Sequence, residues 1–501
     1  MQKDFCRIKN HPILSFPEGK RVKFYFEGKE LEGYEGEPIA CSLLVNGIKV
    51  FRWTKEGRAR GFFCAVGKCS SCLMTVDGKP NVMVCMERLK EGMQIERKVI
   101  RKEMGEERRE EASGNDFFPS VYETDLVIIG AGPAGLSASL TLGNLGLRHI
   151  IVDDNPKPGG QLLKQTHKFF GSRELFCGIR GFEIARILKE EIEKSNYAQF
   201  LLSASVIGAY RNGSKGFDLA VVKEDRLIRI RTKALIGACG ACENFLLFEN
   251  NDLPGIYGAG AVQTLMNLYG IRPGKKALMI GSGNIGLIVA YQMLQAGIEV
   301  LAIVEIMPEI GGYHCHAAKV LRLGIPILLS HTIKRALGKD SVRGAVVVKV
   351  TRNFQEIKGT EKRFDCDLIC LSVGLAPLSD LFSALGCKIS YIPELGGYLP
   401  YHDEDLKTSI PGVFVSGDAS GIEEASTAIL EGRIAGSSAY EYLFGENKES
   451  SAIKNSAKKV LSEIRQSPFL KKIEKGLKSL SASVHRRRDF AKGESASQSS
   501  Y

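Results

Sequence analysis

The chain has 501 residues, of which 44% are hydrophobic and 25% are charged, as is ordinary for a soluble protein of roughly two to four domains. No apolar run reaches about 18 residues without charges or a glycine cluster, so no membrane-spanning helix is expected. Most of the net charge of +11 falls within residues 451–501, and a basic bias confined to a tail gives no reason to expect a nucleic-acid partner.

The cysteine content indicates the cellular compartment. Residues 1–20 are polar and broken by prolines, so no secretory signal is visible. Thirteen cysteines without such a signal favour a reducing compartment, with metal or redox roles rather than disulfides. We expect a cytoplasmic protein, and the basic tail is a candidate for peripheral contact with the inner face of the membrane.

A small β-rich domain is predicted over residues 1–98, and it contains a loop of closely spaced cysteines. The spacing C-x4-C-x2-C-x12-C begins as the plant-type [2Fe–2S] loop does, with a fourth cysteine further along. Zinc ligation and unligated core cysteines are the alternatives, although zinc ribbons favour two C-x2-C pairs and only one is present. We predict that the ligands of a [2Fe–2S] cluster are Cys64, Cys69, Cys72 and Cys85.

A charged linker, residues 99–121, leads to a strand, a glycine turn, a helix and a second strand within residues 125–154. The turn carries the pattern G-x-G-x-x-G, formed by Gly130, Gly132 and Gly135. The first glycine permits the turn, the second lets amides approach a pyrophosphate, and the third allows close helix packing. Asp153 ends the second strand about 20 residues later, where it can accept hydrogen bonds from a ribose. The stretch predicts a dinucleotide site.

The same pattern returns within residues 275–305. The third glycine and the acid that ends the next strand fit a 2′-hydroxyl ribose better than a 2′-phosphate. This indicates NAD(H) or another adenine nucleotide rather than NADP. The candidate residues are Gly281, Gly283, Asn284, Ile285, Gly286 and Glu305.

After this insertion the first nucleotide domain is predicted to resume. An apolar strand leads to Gly417-Asp418, and in a two-dinucleotide flavoprotein such a late pair places a carboxylate on the ribityl chain of FAD. A Pro-Gly-Gly-Gln turn at residues 158–161 would bring backbone near the same cofactor. We assign no catalytic residue, and the predicted FAD site consists of Gly130, Gly132, Pro133, Ala134, Gly135, Asp153, Gly160, Gln161, Gly417 and Asp418.

The predicted fold class is α/β. It is a two-dinucleotide-binding flavoprotein, with a second Rossmann-like domain inserted into the FAD domain and a β-grasp ferredoxin-like [2Fe–2S] domain in front. The predicted domains are residues 1–98 for the cluster domain, 99–121 for the linker, 122–254 and 361–445 for the FAD domain, 255–360 for the inserted nucleotide domain, and 446–501 for a basic, partly disordered tail.

Two features have alternative interpretations. Cys239 and Cys242 form C-x2-C, which is either a redox disulfide or a pair of small residues packed near the cofactor, and we favour packing. The tail has the spacing of basic amphipathic helices, which would lie on an anionic membrane, dock on a partner or simply stay solvated.

The motifs GAGPAG, PGGQ, NNDLPGIYGAGAVQTLMN, GSGNIG and VFVSGDAS occur in this order. Together they resemble a group of flavoproteins that includes the FAD subunits of hydrogen cyanide synthase, opine oxidase and dye-linked L-proline dehydrogenase, and half of the sarcosine oxidase α chain. The segment GFFCAVGKCSSCLMTVDG resembles their small [2Fe–2S] partner, here fused. The Ala-Thr-Gly-Ala strand end usual in this group reads Ala238-Cys239-Gly240-Ala241 here.

The resemblance implies one component of an amino-acid dehydrogenase or oxidase complex that acts on a secondary amine such as proline, sarcosine or an opine. It implies an amine-oxidising flavoprotein partner, with electrons passing through FAD and [2Fe–2S] to an acceptor such as a quinone, a ferredoxin or another carrier. The second fingerprint would hold NAD(H) or an unreduced nucleotide such as ATP. The alternatives are a stand-alone NADH-dependent reductase and a non-catalytic electron-relay scaffold with a structural nucleotide.

Overall fold

The computed structural model describes residues 6–97, 120–213, 216–224 and 226–483. The chain divides into two compact units. The first unit holds residues 1–109 and 243–374, and the second unit holds residues 110–242 and 375–501. Nearly all of the predicted linker and the end of the tail lie outside the described residues. The finer domain boundaries given above stay predictions.

The first unit begins with a five-stranded sheet of order β2-β1-β7-β5-β6. Alternate side chains of β1 are buried, namely Val22, Phe24 and Phe26, because one face of the sheet covers a core and the other faces water. The elements are β1 (Arg21–Phe26), β2 (Lys29–Tyr34), α1 (Ile39–Val45), β3 (Arg52–Trp53), β4 (Ala59–Arg60), β5 (Leu73–Val76), β6 (Lys79–Met83) and β7 (Gln94–Glu96).

The second unit begins with a largely parallel sheet of order β10-β9-β8-β13-β12-β11. Strand β8 lies inside this sheet, and its last residues are buried on both faces, as parallel strands usually are. The elements are β8 (Ser120–Ile129), α2 (Pro133–Asn144), β9 (His149–Val152), α3 (Gly181–Ser195), β10 (Ala198–Leu201), β11 (Ala204–Arg211), β12 (Phe217–Lys223), β13 (Arg226–Gly237) and β14 (Ala241–Glu243).

The first unit resumes with a five-stranded parallel sheet of order β15-β22-β16-β17-β18. A three-stranded antiparallel sheet, β19-β20-β21, follows it. The elements are β15 (Ile256–Gly258), α4 (Ala259–Gln263), β16 (Lys276–Ile280), α5 (Asn284–Gln295), β17 (Glu299–Val304), α6 (His314–Arg322), β18 (Ile327–Leu328), β19 (His331–Leu337), β20 (Gly344–Lys349), β21 (Lys362–Phe364) and β22 (Leu368–Leu371).

The second unit is completed by the C-terminal elements. Strand β26 pairs in parallel with β13 and so adds to the sheet that contains β8. A further helical segment covers residues 471–483. The elements are β23 (Leu375–Pro377), α7 (Asp380–Ala384), β24 (Ile389–Ile392), β25 (Gly397–Pro400), β26 (Val413–Val415), α8 (Ala425–Phe444) and α9 (Lys448–Arg465).

The two parallel sheets share one layout. In each, a fingerprint strand (β8 or β16) is flanked on one side by the next strand in sequence and on the other by strands that return later. Connections on opposite sides of such a strand leave a crevice at its carboxyl end, where ligands of open α/β sheets bind. No helix among the described residues is long and apolar enough to cross a membrane.

Candidate cofactor sites

The four cysteines of the predicted cluster loop come together in the first unit. Cys64, Cys72 and Cys85 are buried, and Cys69 is partly buried. Their thiols interact in a chain. Hydrogen bonds from Cys69 and Cys85 lower the pKa of Cys64 to about 2, and a hydrogen bond from Cys85 lowers the pKa of Cys72. The same hydrogen bonds, together with burial, raise the pKa values of Cys69 and Cys85. Two of the four thiols, Cys64 and Cys72, are therefore poised as thiolates, the form of cysteine that binds metal.

The backbone of this loop directs amides at the sulfurs. The amide nitrogen of Val66 lies 3.5 Å from Cys64 Sγ, and the amides of Lys68 and Ser71 donate to Cys64 and Cys69. Such hydrogen bonds tune iron–sulfur clusters. Three loop residues adopt left-handed backbone angles: Ala65 (φ +57°), Gly67 (φ +66°) and Ser70 (φ +53°).

This donor set fits a [2Fe–2S] cluster. Each iron of such a cluster takes two cysteine ligands, so four converging thiols supply the whole set. Within the described part of the chain, no group of three or more His, Cys, Asp or Glu side chains is arranged to hold a single metal ion.

The first fingerprint forms a tight turn between β8 and α2. Gly130 has a φ of +107°, and a Cβ on it would collide with a backbone carbonyl at the end of β13. A Cβ on Gly135 would collide with the carbonyl oxygen of Gly130, so this glycine lets the helix begin against the strand. A Cβ on Gly132 would meet nothing within 4 Å, which leaves the loop open to a ligand. Pro133 and Ala134 begin α2, whose N-terminal amides attract phosphate.

Asp153 lies directly after β9 and is 8% exposed. Its Oδ2 accepts a hydrogen bond from the amide of Ala131 at 2.6 Å, and its Oδ1 accepts one from the amide of Asn155 at 2.8 Å. The carboxylate therefore holds the fingerprint loop in shape. Its contact with a ribose stays a prediction.

The Pro-Gly-Gly-Gln turn lies against this loop. The amide of Gly159 donates to the carbonyl oxygen of Ala131 at 2.7 Å. A Cβ on Gly160 would lie 2.8 Å from the Cα of Gly132, so the approach requires a glycine. Gln161 follows in a short 3₁₀ helix and is exposed.

Gly417 and Asp418 lie beside the fingerprint helix although they are almost 300 residues away in sequence. A Cβ on Gly417, whose φ is +68°, would lie 2.9 Å from the Cβ of Ala134. Burial raises the pKa of Asp418 to about 7. The structure therefore brings the two predicted halves of the FAD site together within the second unit.

Sequence reasoning missed Glu431, which holds this turn. Its Oε2 accepts hydrogen bonds from the amide of Gly417 and the hydroxyl of Ser420, each at 2.8 Å. Its Oε1 accepts one from Arg465 in α9, so the tail also contributes. The sequence feature that could have revealed Glu431 is its position as a single acid among the small and apolar residues in the central part of α8.

The second fingerprint repeats the geometry of the first. Gly281 has a φ of +102°, a Cβ on Gly286 would collide with the carbonyl oxygen of Gly281, and a Cβ on Gly283 would meet nothing within 4 Å. Asn284 Oδ1 accepts a hydrogen bond at 2.8 Å from the amide of Tyr313, which lies just before α6. Ile285 is 37% exposed.

Glu305 corresponds in position to Asp153. It is 7% exposed, and its Oε2 accepts hydrogen bonds from the amide and hydroxyl of Ser282 at 2.8 and 2.7 Å. Its Oε1 accepts one from the amide of Met307 at 2.9 Å. The two acids therefore shape the two loops in the same way.

A glycine pair beside the second fingerprint was also missed. The amide of Gly311 lies 3.0 Å from the hydroxyl oxygen of Ser282, and a Cβ on Gly312 would lie 2.9 Å from the amide nitrogen of Asn284. The spacing was available, because Gly159–Gly160 follows Asp153 as closely as Gly311–Gly312 follows Glu305.

The C-x2-C pair formed by Cys239 and Cys242, both within the described residues, contains no disulfide. Cys239 and Cys242 are half-buried, and the thiol of Cys239 lies 3.9 Å from the carbonyl oxygen of Ile129 at the end of β8. This contact places Cys239 next to the first fingerprint.

The pyridine nucleotide-disulphide oxidoreductase family model matches residues 124–432, which is more than half of the chain. This chain belongs to that family. A model of the 2Fe-2S iron-sulfur cluster binding domain matches residues 19–99. The predicted fold class, a two-dinucleotide flavoprotein behind a ferredoxin-like domain, is confirmed. FAD and a [2Fe–2S] cluster are the cofactors that these matches and the donor sets support.

Named relatives confirm the resemblance. The chain is 26% identical to the alpha subunit of sarcosine oxidase from Rhizobium meliloti (strain 1021), over 82% of this chain and 45% of that protein. It is 30% identical to the A component of opine oxidase from the same strain, over 62% of this chain and 69% of that protein. The crystal structure of L-proline dehydrogenase from P. horikoshii has 25% sequence identity and a TM-score of 0.69, over 90% of this chain and 79% of that one. The chain thus spans less than half the length of the sarcosine oxidase relative.

Proposed function

We propose that this chain is the iron–sulfur flavoprotein component of a heteromeric dehydrogenase or oxidase that acts on an amino acid or a related secondary amine. The observation that carries the proposal is the presence, in one chain, of four converging cysteine thiols and a complete FAD-type fingerprint with its late Gly-Asp pair. The similarity to L-proline dehydrogenase over 90% of the chain supports it.

The proposed FAD ligands are the residues of the first fingerprint, its acid and the two turns beside it. The fingerprint amides and the start of α2 would bind the pyrophosphate, because a helix N-terminus carries partial positive charge. Asp153 would hold the loop and bind the adenosine ribose, and Asp418 would lie at the ribityl chain. FAD accepts electrons in pairs and a [2Fe–2S] cluster carries them singly.

The proposed cluster ligands are Cys64, Cys69, Cys72 and Cys85. Burial of three of them excludes bulk water, and the loop amides stabilise negative charge on the sulfurs. The second site would hold NAD(H) or an unreduced adenine nucleotide such as ATP on Gly281, Gly283, Gly286 and Glu305.

The partners belong to the same proposal. Substrate oxidation is assigned to a separate amine-oxidising flavoprotein, and the acceptor is a quinone, a ferredoxin or another carrier. The proposed location is the cytoplasm, with the basic tail as a candidate contact to the inner membrane face.

The test is purification of the intact complex from its native source, followed by an anaerobic titration with L-proline, sarcosine or an opine. Bleaching of the flavin absorption by one of these amines is the expected result. A complex whose flavin stays oxidised with every amine contradicts the proposal.

A matched pair of variants tests the cluster. Cys72→Ser should abolish the [2Fe–2S] absorption bands while FAD is retained. Cys177→Ser, which changes an exposed cysteine, should leave both spectra unchanged. Unaltered cluster bands in Cys72→Ser would contradict the ligand assignment.

A second candidate is a stand-alone NADH-dependent reductase. It is favoured by the second fingerprint, whose loop, acid and glycine pair match the first. Reduction of the flavin by NADH in the purified chain, without a partner protein, would support this alternative. A nucleotide that co-purifies and is never reduced would instead support a structural role for the second site.

A further inference from the structure

A buried ion cluster joins the tail to the turn that carries Gly417. Arg465, the last residue of α9, donates from Nη2 to Oε1 of Glu431 at 2.7 Å and also pairs with Glu423. The side chains of Glu431 and Glu423 are 4% and 6% exposed, and that of Arg465 is 19% exposed. Two carboxylates therefore depend on one guanidinium, and all three groups lie in the second unit.

Glu431 connects this cluster to the cofactor turn. One of its oxygens accepts from Arg465, and the other accepts from the amide of Gly417 and the hydroxyl of Ser420. A carboxylate accepts these hydrogen bonds most strongly when it is ionised. A buried carboxylate remains ionised only when a cation compensates its charge.

We propose that Arg465 is a positioning residue for FAD, which acts through Glu431 to hold the turn from Gly417 to Ser420 in the conformation that receives the cofactor. This inference rests on the proposed function, because it takes FAD as the ligand of that turn. It makes the tail helix α9 a part of the cofactor site rather than a solvated extension.

The charge balance explains why an arginine is needed. The charged groups around Glu423 are Glu431, Arg465 and Asp418. Burial, together with the negative charge of Glu431, raises the pKa of Glu423 to about 7. Without Arg465, three acidic groups would share this site with no cation. Uptake of a proton would then relieve their repulsion, and the shape of the turn would depend on pH.

The test is Arg465→Met, which puts an unbranched apolar side chain of similar length in place of arginine and so removes the charge. FAD is removed and titrated back at pH 6 and pH 8, and its dissociation constant is measured by flavin fluorescence. We expect the constant to rise by about tenfold at pH 8, the size of effect that one hydrogen bond to a charged group produces. We expect a smaller rise at pH 6, and a merely structural defect would not produce this difference.

A second substitution separates positioning from packing. Glu431→Gln, added to Arg465→Met, should restore part of the affinity and weaken the pH dependence, because the amide oxygen still accepts from Gly417 and one unpaired charge is removed. Lys458→Met is the matched control. Lys458 lies on the same helix and pairs with Asp405 near the surface, so this variant should bind FAD as the wild type does.

The outcomes distinguish the two proposals. A wild-type chain that binds no FAD overturns the proposed function. A wild-type chain that binds FAD, together with an Arg465→Met chain of equal affinity and equal pH profile, overturns the role of Arg465. If Arg465→Met does not fold, Arg465→Gln decides, because it removes the charge but keeps a polar side chain. Wild-type FAD affinity together with a wild-type pH profile in Arg465→Gln also overturns the inference.

Discussion

At the scale of single residues, the acids that end β9 and β17 act first on their own loops. Asp153 and Glu305 are both buried, and both accept backbone amides of the glycine loop beside them. In each loop, one carboxylate thus orders the backbone. Its removal should therefore weaken nucleotide binding even where the contact with the sugar is small.

Asp153→Ala should weaken FAD retention and leave the cluster spectrum intact. The variant loses hydrogen bonds to a charged group, each worth about 1.5–3 kcal/mol, so the FAD dissociation constant should rise by about 10- to 100-fold. Equilibrium titration of the FAD-free chain measures it. Glu305→Ala is the control, because it alters the equivalent loop in the first unit and should not change FAD affinity. Equal FAD affinity in Asp153→Ala and the wild type would contradict the assignment.

Asp418 gives a pH prediction of definite sign. Burial raises the pKa of this carboxyl to about 7 from its ordinary value of 3.8. The folded, FAD-free chain therefore holds the proton more tightly than the unfolded chain. The contribution of this bound proton to the free energy of unfolding is fully present below about pH 4 and is lost as the pH rises through about 7. Asp418→Asn cannot ionise and avoids that loss.

The FAD-free Asp418→Asn chain should therefore be more stable than the wild type at pH 8, by up to about 4 kcal/mol, and equal to it near pH 4. Urea unfolding at both pH values measures the difference. Asp405→Asn should have the opposite effect and make the chain less stable than the wild type at pH 8. Although burial opposes it, hydrogen bonds from Lys458 and Lys407 lower the pKa of Asp405 to about 2. Destabilisation of Asp418→Asn at pH 8 would contradict the prediction.

At the scale of elements, the small residues of α8 serve helix packing. In the structure, Gly432 and Gly436 face α2, and a Cβ on Gly432 would collide with the carbonyl oxygen of Ala134. A Cβ on Gly436 would lie 3.0 Å from the carbonyl oxygen of Ala138. Close contact of the two helices holds the Gly417 turn beside the fingerprint.

Gly432→Ala should destabilise the chain by about 1–3 kcal/mol, because the added methyl group overpacks the interface of α2 and α8. Alanine in place of an unhindered helical glycine would instead stabilise it by about 1 kcal/mol. Gly436→Ala has more room and should cost less. Denaturant unfolding of both variants measures the order of the two effects. A Gly432→Ala chain as stable as the Gly436→Ala chain would contradict this account.

At the scale of the whole molecule, the cluster domain belongs to the same compact unit as the inserted nucleotide domain. Phe63, next to the first cluster cysteine, stacks on Phe245 with ring centroids 4.6 Å apart. It also shares an apolar core with Leu253 and Ile256. Arg58 and Arg60 both pair with Asp252. The cluster loop and the second nucleotide sheet therefore depend on one core.

Phe63→Ala should weaken the cluster loop and the second nucleotide site together, and leave FAD content unchanged. Truncation of a buried phenylalanine costs about 3–5 kcal/mol, and this loss falls on the first unit. The measurements are the rate of cluster bleaching in a chelator, the affinity for ADP and the FAD content. Phe354→Ala, which removes an exposed ring in the first unit, is the control. Loss of FAD with intact cluster stability would contradict the prediction.

The local geometry of the two glycine loops could be predicted from the amino-acid sequence. Short-range backbone geometry determines the glycine fingerprints, the acids that end the following strands and the cysteine spacing. Each of these motifs can be recognised within about 30 residues, the size of one βαβ unit. The fold class followed from the order of these motifs. The spacing of Gly311–Gly312 from Glu305 is equally local, because it repeats the spacing of Gly159–Gly160 from Asp153.

Which distant groups meet depends instead on how the whole chain folds. The pairing of β26 with β13 brings Gly417 beside Ala134, and the packing of α9 on α8 brings Arg465 to Glu431. A lone arginine in a basic tail has no local pattern that distinguishes it from a solvated one. The ion pair forms because burial makes an uncompensated carboxylate costly, and burial is a property of the folded chain rather than of any short stretch of it.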